Sequence, residues 1–415
     1  MKSHISPIYS ILIAFSLIFM VSCSEDDGAP TDEDPPIVEL LPPILLDCDY
    51  FSEDRVLEND TLRPVDYIID CWANVQGNLK IEPGVVIEFE NHAGLDINLG
   101  NNVLEIKGTE EEPVILTGTS KQKGYWTGIF LREAYNLNNL IEHTIIEYAG
   151  SQNFTQNSPI YEGSLAIRGI SGTTPQALTL NHVEISNGGS VGLDFHGIEK
   201  NATVSTSNLV ITGNEDMPVK VSAEMAHIFD NTSSYAGNIM DYINITTSYY
   251  EVENQTVNWQ NLDVPYLIDG RIHIKDNGHI TIEEGTEMYF KSTAYIQVYD
   301  YLNPTSLKIQ GTSQNPVHLK AYNGSNWGGI MFGFTQDNNT INHAVIENAK
   351  GDYVVGNHEN TGAIYLYAQP KLTVENTVFI DLPNCAFYGY GTDPFENVTV
   401  SNLVFDGVGM EYCTE

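Results

Sequence analysis

Apolar and polar residues alternate over short stretches along nearly the whole chain, as in Leu79–Phe89 (LKIEPGVVIEF) and again in Ile280–Phe290 (ITIEEGTEMYF). A period of two marks a β-strand, and the glycine in each stretch, Gly84 or Gly285, marks a turn into the next. LEIKG, VILTG, LAIRG, LTLNHVEISN, VGLDFHG and STSNLVITGN repeat the pattern between turns of Gly, Asn and Pro. Outside residues 1–22 no segment holds apolar residues at helical spacing over a helix's length.

The two opening stretches belong to a duplication. Ile106-Lys-Gly-Thr109 through Pro113-Val114 returns as Ile309-Gln-Gly-Thr312 through Pro316-Val317, and Gly124-Tyr-Trp-Thr-Gly-Ile129 returns as Ser325-Asn-Trp-Gly-Gly-Ile330. Asn138-Asn139 through Ala149 returns as Asn338-Asn339 through Ala349, and Asn208–Ile211 as Asn402–Phe405. Inside the second copy, Gly362–Ala368 (GAIYLYA) and Cys385–Gly391 (CAFYGYG) lie one short period apart. Strands recurring at such a period, without helices, predict an all-β fold: a parallel β-helix made of two duplicated halves. Each coil would lay its strands about 4.8 Å from those of the coil before, at about 22 to 25 residues per coil and about 13 to 15 coils in all. One coil buries too little to stand alone, so the coils must stack and the ends be capped. A pair of β-sandwiches is the alternative, disfavoured because sandwich strands alternate more cleanly between hairpin turns.

Composition adds an address. Residues 1–22 carry Lys2 and an apolar run, Ile8–Val21, too short for a membrane span, so they predict an export signal. Residues 23–46 are rich in acid and proline and predict an unstructured tether. The remainder divides into an N-terminal cap (47–75), a first half (76–230), a joining coil (231–264), a second half (265–409) and a tail (410–415). Fifty-five acidic residues against 18 basic ones give a formal charge of −37, which excludes nucleic acid as a partner and repels anionic lipid heads. Four cysteines follow Cys23; proximity suggests Cys48 with Cys71 and Cys385 with Cys413, among three conceivable pairings.

Three resemblances extend this reading. MVSC, ending at Cys23, resembles the lipobox of bacterial lipoproteins and implies an acylated cysteine and a lipid anchor in the outer membrane. The acidic run Ser24-Glu25-Asp26-Asp27 resembles the surface-export signal of Bacteroidetes lipoproteins and implies exposure at the cell surface. The run GNLKIEPGVVIEFENHAGL, with EIKGTEEEPVILTG, GYWTGI and NLIEHTIIEYAG, resembles right-handed parallel β-helix lipoproteins of Bacteroidetes, whose fold is similar to that of pectate lyases. This last resemblance implies a fold rather than an activity.

Candidate chemistry rests on strand parity. With Ile129 and Leu131 inward, Phe130 and Arg132 point outward, followed on later strands by Arg168, by Asp194 with His196, and by Lys220. That lane of basic residues is a candidate seat for an acidic sugar, with Arg132, Arg168 and His196 as catalytic candidates of a polysaccharide lyase or glycoside hydrolase. The matching outward positions of the second copy are Tyr365, Tyr367, Tyr388 and Tyr390, candidate ligand contacts because aromatic rings stack on sugar faces. His143 and His343 occupy equivalent places beside strands and are expected to satisfy local hydrogen bonds. No cofactor and no metal site is expected; acidic turns such as Glu110–Glu112 would hold calcium only loosely. The expected function is non-catalytic binding of polysaccharide or another surface ligand. The alternatives are an enzyme acting on acidic glycans and an adhesive or structural protein whose partner is a surface protein.

Overall fold

Asn, His, Asp and Gly tolerate the left-handed backbone that bulkier residues avoid, and this chain places them where each coil bends. One bend is made by His143 (φ 43°), His182 (51°) and Asn208 (53°) in the first copy and by His343 (49°), Asn376 (50°) and Asn402 (51°) in the second. The next is made by Tyr148, Asn187 and Gly213, then by Asn348, Asp381 and Gly407, all at positive φ. His143 and His343 are therefore bend residues. His143 stacks on His182 at 4.5 Å, while the buried Nδ1 of His343 has no hydrogen-bond partner, unlike the local satisfaction expected of it.

The computed structural model describes residues 39–169, 175–246, 251–335, 338–351, 354–355, 358–359 and 362–414. The export signal, Cys23, the acidic run and most of the tether lie outside them. The chain divides into Met1–Glu39 and Leu40–Glu415, and the fold belongs to the second unit.

That unit is a parallel β-helix. Its strands stack into sheets of 11, 13, seven and six strands, all paired in parallel. The one antiparallel ladder among the described residues is the short pair Val354–Val355 and His358–Glu359. The 13-stranded sheet matches the coil number expected, but coil length varies: Tyr266 pairs with Met288 after 22 residues, Phe130 with Ala166 after 36. Stacking begins earlier than the tether and cap boundaries suggest. Ile44–Leu46 is a strand in register with Tyr67–Ile69, and its Leu46 is buried; that run can pair and bury a side chain as the proline-rich residues before it cannot.

The duplicated residues do the same work twice. Phe89 stacks on Trp126 at 4.1 Å and Phe290 on Trp327 at 4.0 Å, and each indole Nε1 donates at 2.8 Å to a backbone carbonyl, of Glu147 or Glu347. Buried Asn139 accepts from the amide of Leu104 and donates to the carbonyl of Ala177. Asn339 does likewise with Leu307 and Lys371. Gly84 and Gly285 are left-handed at 78° and 76°, each under the side chain of an asparagine, Asn59 or Asn261.

Yet the duplication is out of step with the sheets. Val86–Phe89 belongs to the 11-stranded sheet, whereas its repeat partner Glu287–Phe290 belongs to the 13-stranded one. Gly94–Gly100 lies in the 13-stranded sheet and its partner Tyr295–Tyr299 in the seven-stranded one. The change occurs around 226–265, which spans the expected joining coil and begins five residues before it. There the 3-10 turn Ala226–Ile228 interrupts one ladder, and Val210 and Ser234 make only an isolated bridge. Strands Ile243–Thr246 and Thr256–Trp259 carry the stack through. Asp230 and Asp263 replace the missing ladder bonds, Asp263 accepting from the Tyr235 amide at 3.0 Å and the Ser234 hydroxyl at 2.7 Å.

Disulfides join Cys48 to Cys71 and Cys385 to Cys413, the pairing that proximity suggested.

Candidate functional site

Parity places side chains outward; the neighbouring coil decides what they meet there. Ile129 and Ile330 are repeat partners. Ile129 lies beside Leu165 and Leu165 beside Leu193, while Ile330 lies beside Ile364 and Ile364 beside Phe387. Counting outward from these pairs, Arg168 and Tyr367 hold one position in the two copies, and His196 and Tyr390 hold another. The basic lane and the tyrosine lane are thus one surface, duplicated and diverged.

In the first copy the charges answer one another. Arg132 reaches Asp96 at 2.9 Å, His196 Nδ1 reaches Asp194 at 2.5 Å, and Lys220 reaches Glu162 at 3.1 Å. Burial raises the Asp96 carboxyl against the pull of Arg132. Burial also works to lower the Lys220 ammonium, but Asp194 and Glu162 more than offset it and its pKa is raised. Arg168 is exposed, and Asp194 is wholly buried. Phe130, though outward, is 3% exposed because Phe154 lies parallel on it at 5.1 Å and Tyr161 packs beside it at 5.6 Å. Apart from the exposed Arg168, the lane's polar side chains are paired within the chain and its aromatic ones are covered.

The second copy is different. Tyr299, Gly333, Tyr367 and Tyr390 form one outward row on successive coils of the seven-stranded sheet. Gly333 leaves a gap that the Tyr299 ring fills: a Cβ there would lie 2.5 Å from Tyr299 Cδ2. Tyr367 and Tyr390 stack at 5.3 Å with their planes 7° apart. The parallel row of Met331, Tyr365 and Tyr388 lies beside them. Tyr365 is only 1% exposed, so of the four expected contacts it is closed off, while Tyr367, Tyr388 and Tyr390 remain half-buried.

Two residues beyond strand parity complete the site. Phe334 holds φ 55°, a region bulky residues avoid, and its ring stands edge-on to Tyr299 (5.6 Å), Tyr301 (5.1 Å) and Tyr367 (5.2 Å). Gln369, also left-handed, donates to Glu396 at 2.7 Å. Together Phe334, Tyr367, Gln369, Tyr390 and Thr392 line a groove of about 430 Å³, within the usual size for a small-ligand site. Its exposed neighbours Asp393 and Glu396 are acidic, which disfavours an anionic ligand. The signal for Phe334 in the sequence is an aromatic residue directly after the row glycine, out of phase with the strand.

Among the described residues no group of three or more His, Cys, Asp or Glu side chains is placed to hold a metal ion, and Glu110–Glu112 stand exposed in a turn. Comparison with known protein families and with curated proteins finds no match to this chain.

Proposed function

We propose that this protein is a surface-anchored β-helix lipoprotein of the Bacteroidetes type that binds neutral glycan without turning it over, through the groove walled by Phe334, Tyr367 and Tyr390. The observation that carries the reading is that groove: aromatic walls, an amide and a hydroxyl at the rim, on an otherwise strongly acidic surface. Aromatic walls suit the C–H face of a sugar, and the polar rim suits its hydroxyls. The lipobox-like MVSC and the acidic run after it support an anchor at Cys23 on the outer membrane, with the groove outside the cell. Of the three candidates for a lyase or hydrolase, Arg132 and His196 are each engaged by a carboxylate of the chain and Arg168 alone stands exposed, which favours binding over catalysis.

The test is retention of the soluble domain on a panel of immobilised polysaccharides. Tyr367→Ala with Tyr390→Ala is expected to lower retention at least tenfold while the melting temperature changes little; equal retention by both proteins removes the site. For the anchor, Cys23→Ser is expected to move the protein out of the membrane fraction, and a variant still in that fraction refutes it.

A further inference from the structure

A long coil follows the same strand in each copy: 36 residues separate Ile129 from Leu165, and 34 separate Ile330 from Ile364. In the first copy the extra length is the loop 151–163, which folds back over the outward strip. It is held by Ser151 on His92 at 3.1 Å, by the Phe154 amide on the Tyr161 carbonyl at 2.8 Å, and by Glu162 on Lys220. The corresponding stretch of the second copy falls largely outside the described residues.

Tyr161 is the end of this loop that matters. Its ring lies on His196 at 4.7 Å with the planes 26° apart, and its hydroxyl accepts from the Gly169 amide at 3.0 Å. A Cβ on Gly197 would lie 2.0 Å from the Tyr161 hydroxyl oxygen, so only glycine leaves room for the ring. By the register above, His196, Gly169 and Gly197 are the first-copy counterparts of Tyr390, Ala368 and Gly391, which line the groove of the second copy. Tyr161 therefore occupies the first-copy version of that groove with a six-membered ring bearing a hydroxyl, and it is 2% exposed there.

We propose that the first copy holds a second ring-binding site kept filled by Tyr161, and that the pose of this side chain is the pose a pyranose takes in the groove of the second copy. The pose rests on the glycan reading of that groove; the filled first-copy site does not. In that pose the sugar lies on Tyr390 and one of its hydroxyl oxygens accepts from the Ala368 amide. A stacked ring and one directed hydrogen bond are what an oriented, weakly polar ligand needs. Trp72, Phe130 and Phe154, which pack in one cluster with Tyr161, give the first-copy site its apolar floor.

The experiment is titration calorimetry of four proteins, wild type, Tyr161→Gly, Tyr390→Ala and the double variant, against soluble oligosaccharides of neutral and acidic type. Tyr161→Phe, which keeps the ring, is the control for a closed site. The expected stoichiometries are one for wild type and for Tyr161→Phe, two for Tyr161→Gly, none for Tyr390→Ala and one for the double variant. A folded Tyr161→Gly protein that binds no more sugar than a wild type that does bind overturns the proposal and leaves the groove reading standing. Binding by Tyr161→Gly alone, with wild type silent, overturns the groove reading and supports the filled site; silence from both overturns both. Should Tyr161→Gly fail to fold, Tyr161→Ala is titrated with phenol, the part of the side chain that alanine lacks. Restoration of the melting temperature by phenol and its displacement by a sugar support the proposal, and restoration that no sugar reverses overturns it.

Discussion

Glu224 is a carboxyl group 2% exposed, at the point where the two copies meet, beside the 3-10 turn Ala226–Ile228. It accepts from the Lys200 amide at 3.1 Å and from the Gln255 side chain at 3.5 Å. Burial, only partly relieved by Lys200, pushes its pKa up to about 7. Folding therefore favours the protonated form. Between its unfolded value of 4.5 and about 7 the folded chain holds a proton the unfolded chain has released, so stability falls as pH rises through that window and is level on either side. His227 is partly buried and its pKa is lowered by that burial, which gives the opposite slope, so the informative quantity is the difference between wild type and Glu224→Gln. The two melting temperatures are expected to coincide below pH 4.5 and to diverge toward pH 8, with the variant the more stable. A difference that stays constant from pH 5 to 8 would show that Glu224 does not titrate in this range.

At the scale of the element, each copy closes one coil with the same device: an indole stacked on a phenylalanine and hydrogen-bonded to the carbonyl at the next bend. Trp126→Phe and Trp327→Phe each keep a ring but remove the indole donor and leave that carbonyl without it, which costs about 1 to 3 kcal/mol. Urea denaturation of the two variants is expected to give equal losses, and a loss confined to one would mean that the repeat is not energetic. Such residues made the duplication legible in the sequence, because a stacked indole, a bend asparagine and a turn glycine admit few substitutes and so recur as letters. Parity was legible for the same reason: it is a property of one strand by itself. The slip that moves Glu287–Phe290 into a different sheet from Val86–Phe89 was not legible, since it depends on which strand comes next in space. Tyr365 and Phe130 were read correctly as outward, yet parity does not say what covers them. Phe334 lay outside the pattern altogether, because a left-handed bulky residue breaks the alternation from which strands are read.

Stacked coils contact only their neighbours, so the stability of the whole is close to a sum over coils and interfaces, and an end coil has one interface fewer. The last coil shows the consequence: Met410 and Tyr412 are 59% and 45% exposed, whereas Cys385 and Phe387, which hold the same positions one coil deeper, are buried. Its hold on the coil before is the ladders to Leu372–Glu375, Val378–Ile380 and Cys385–Tyr390 and the Cys385–Cys413 disulfide, which closes 28 residues. Closing a loop of that length removes enough freedom from the unfolded chain to stabilise by about 3.6 kcal/mol. In a nearest-neighbour stack that contribution belongs to the terminal coil rather than to the molecule. Cys385→Ser with Cys413→Ser is therefore expected to speed amide hydrogen exchange by at least tenfold in 398–414 and to leave the strands from Leu193–Phe195 to Glu287–Phe290 as protected as before. Exchange that rises uniformly along the chain would mean that the stack unfolds as one unit, so that the two copies, for all their separate faces, are thermodynamically a single body.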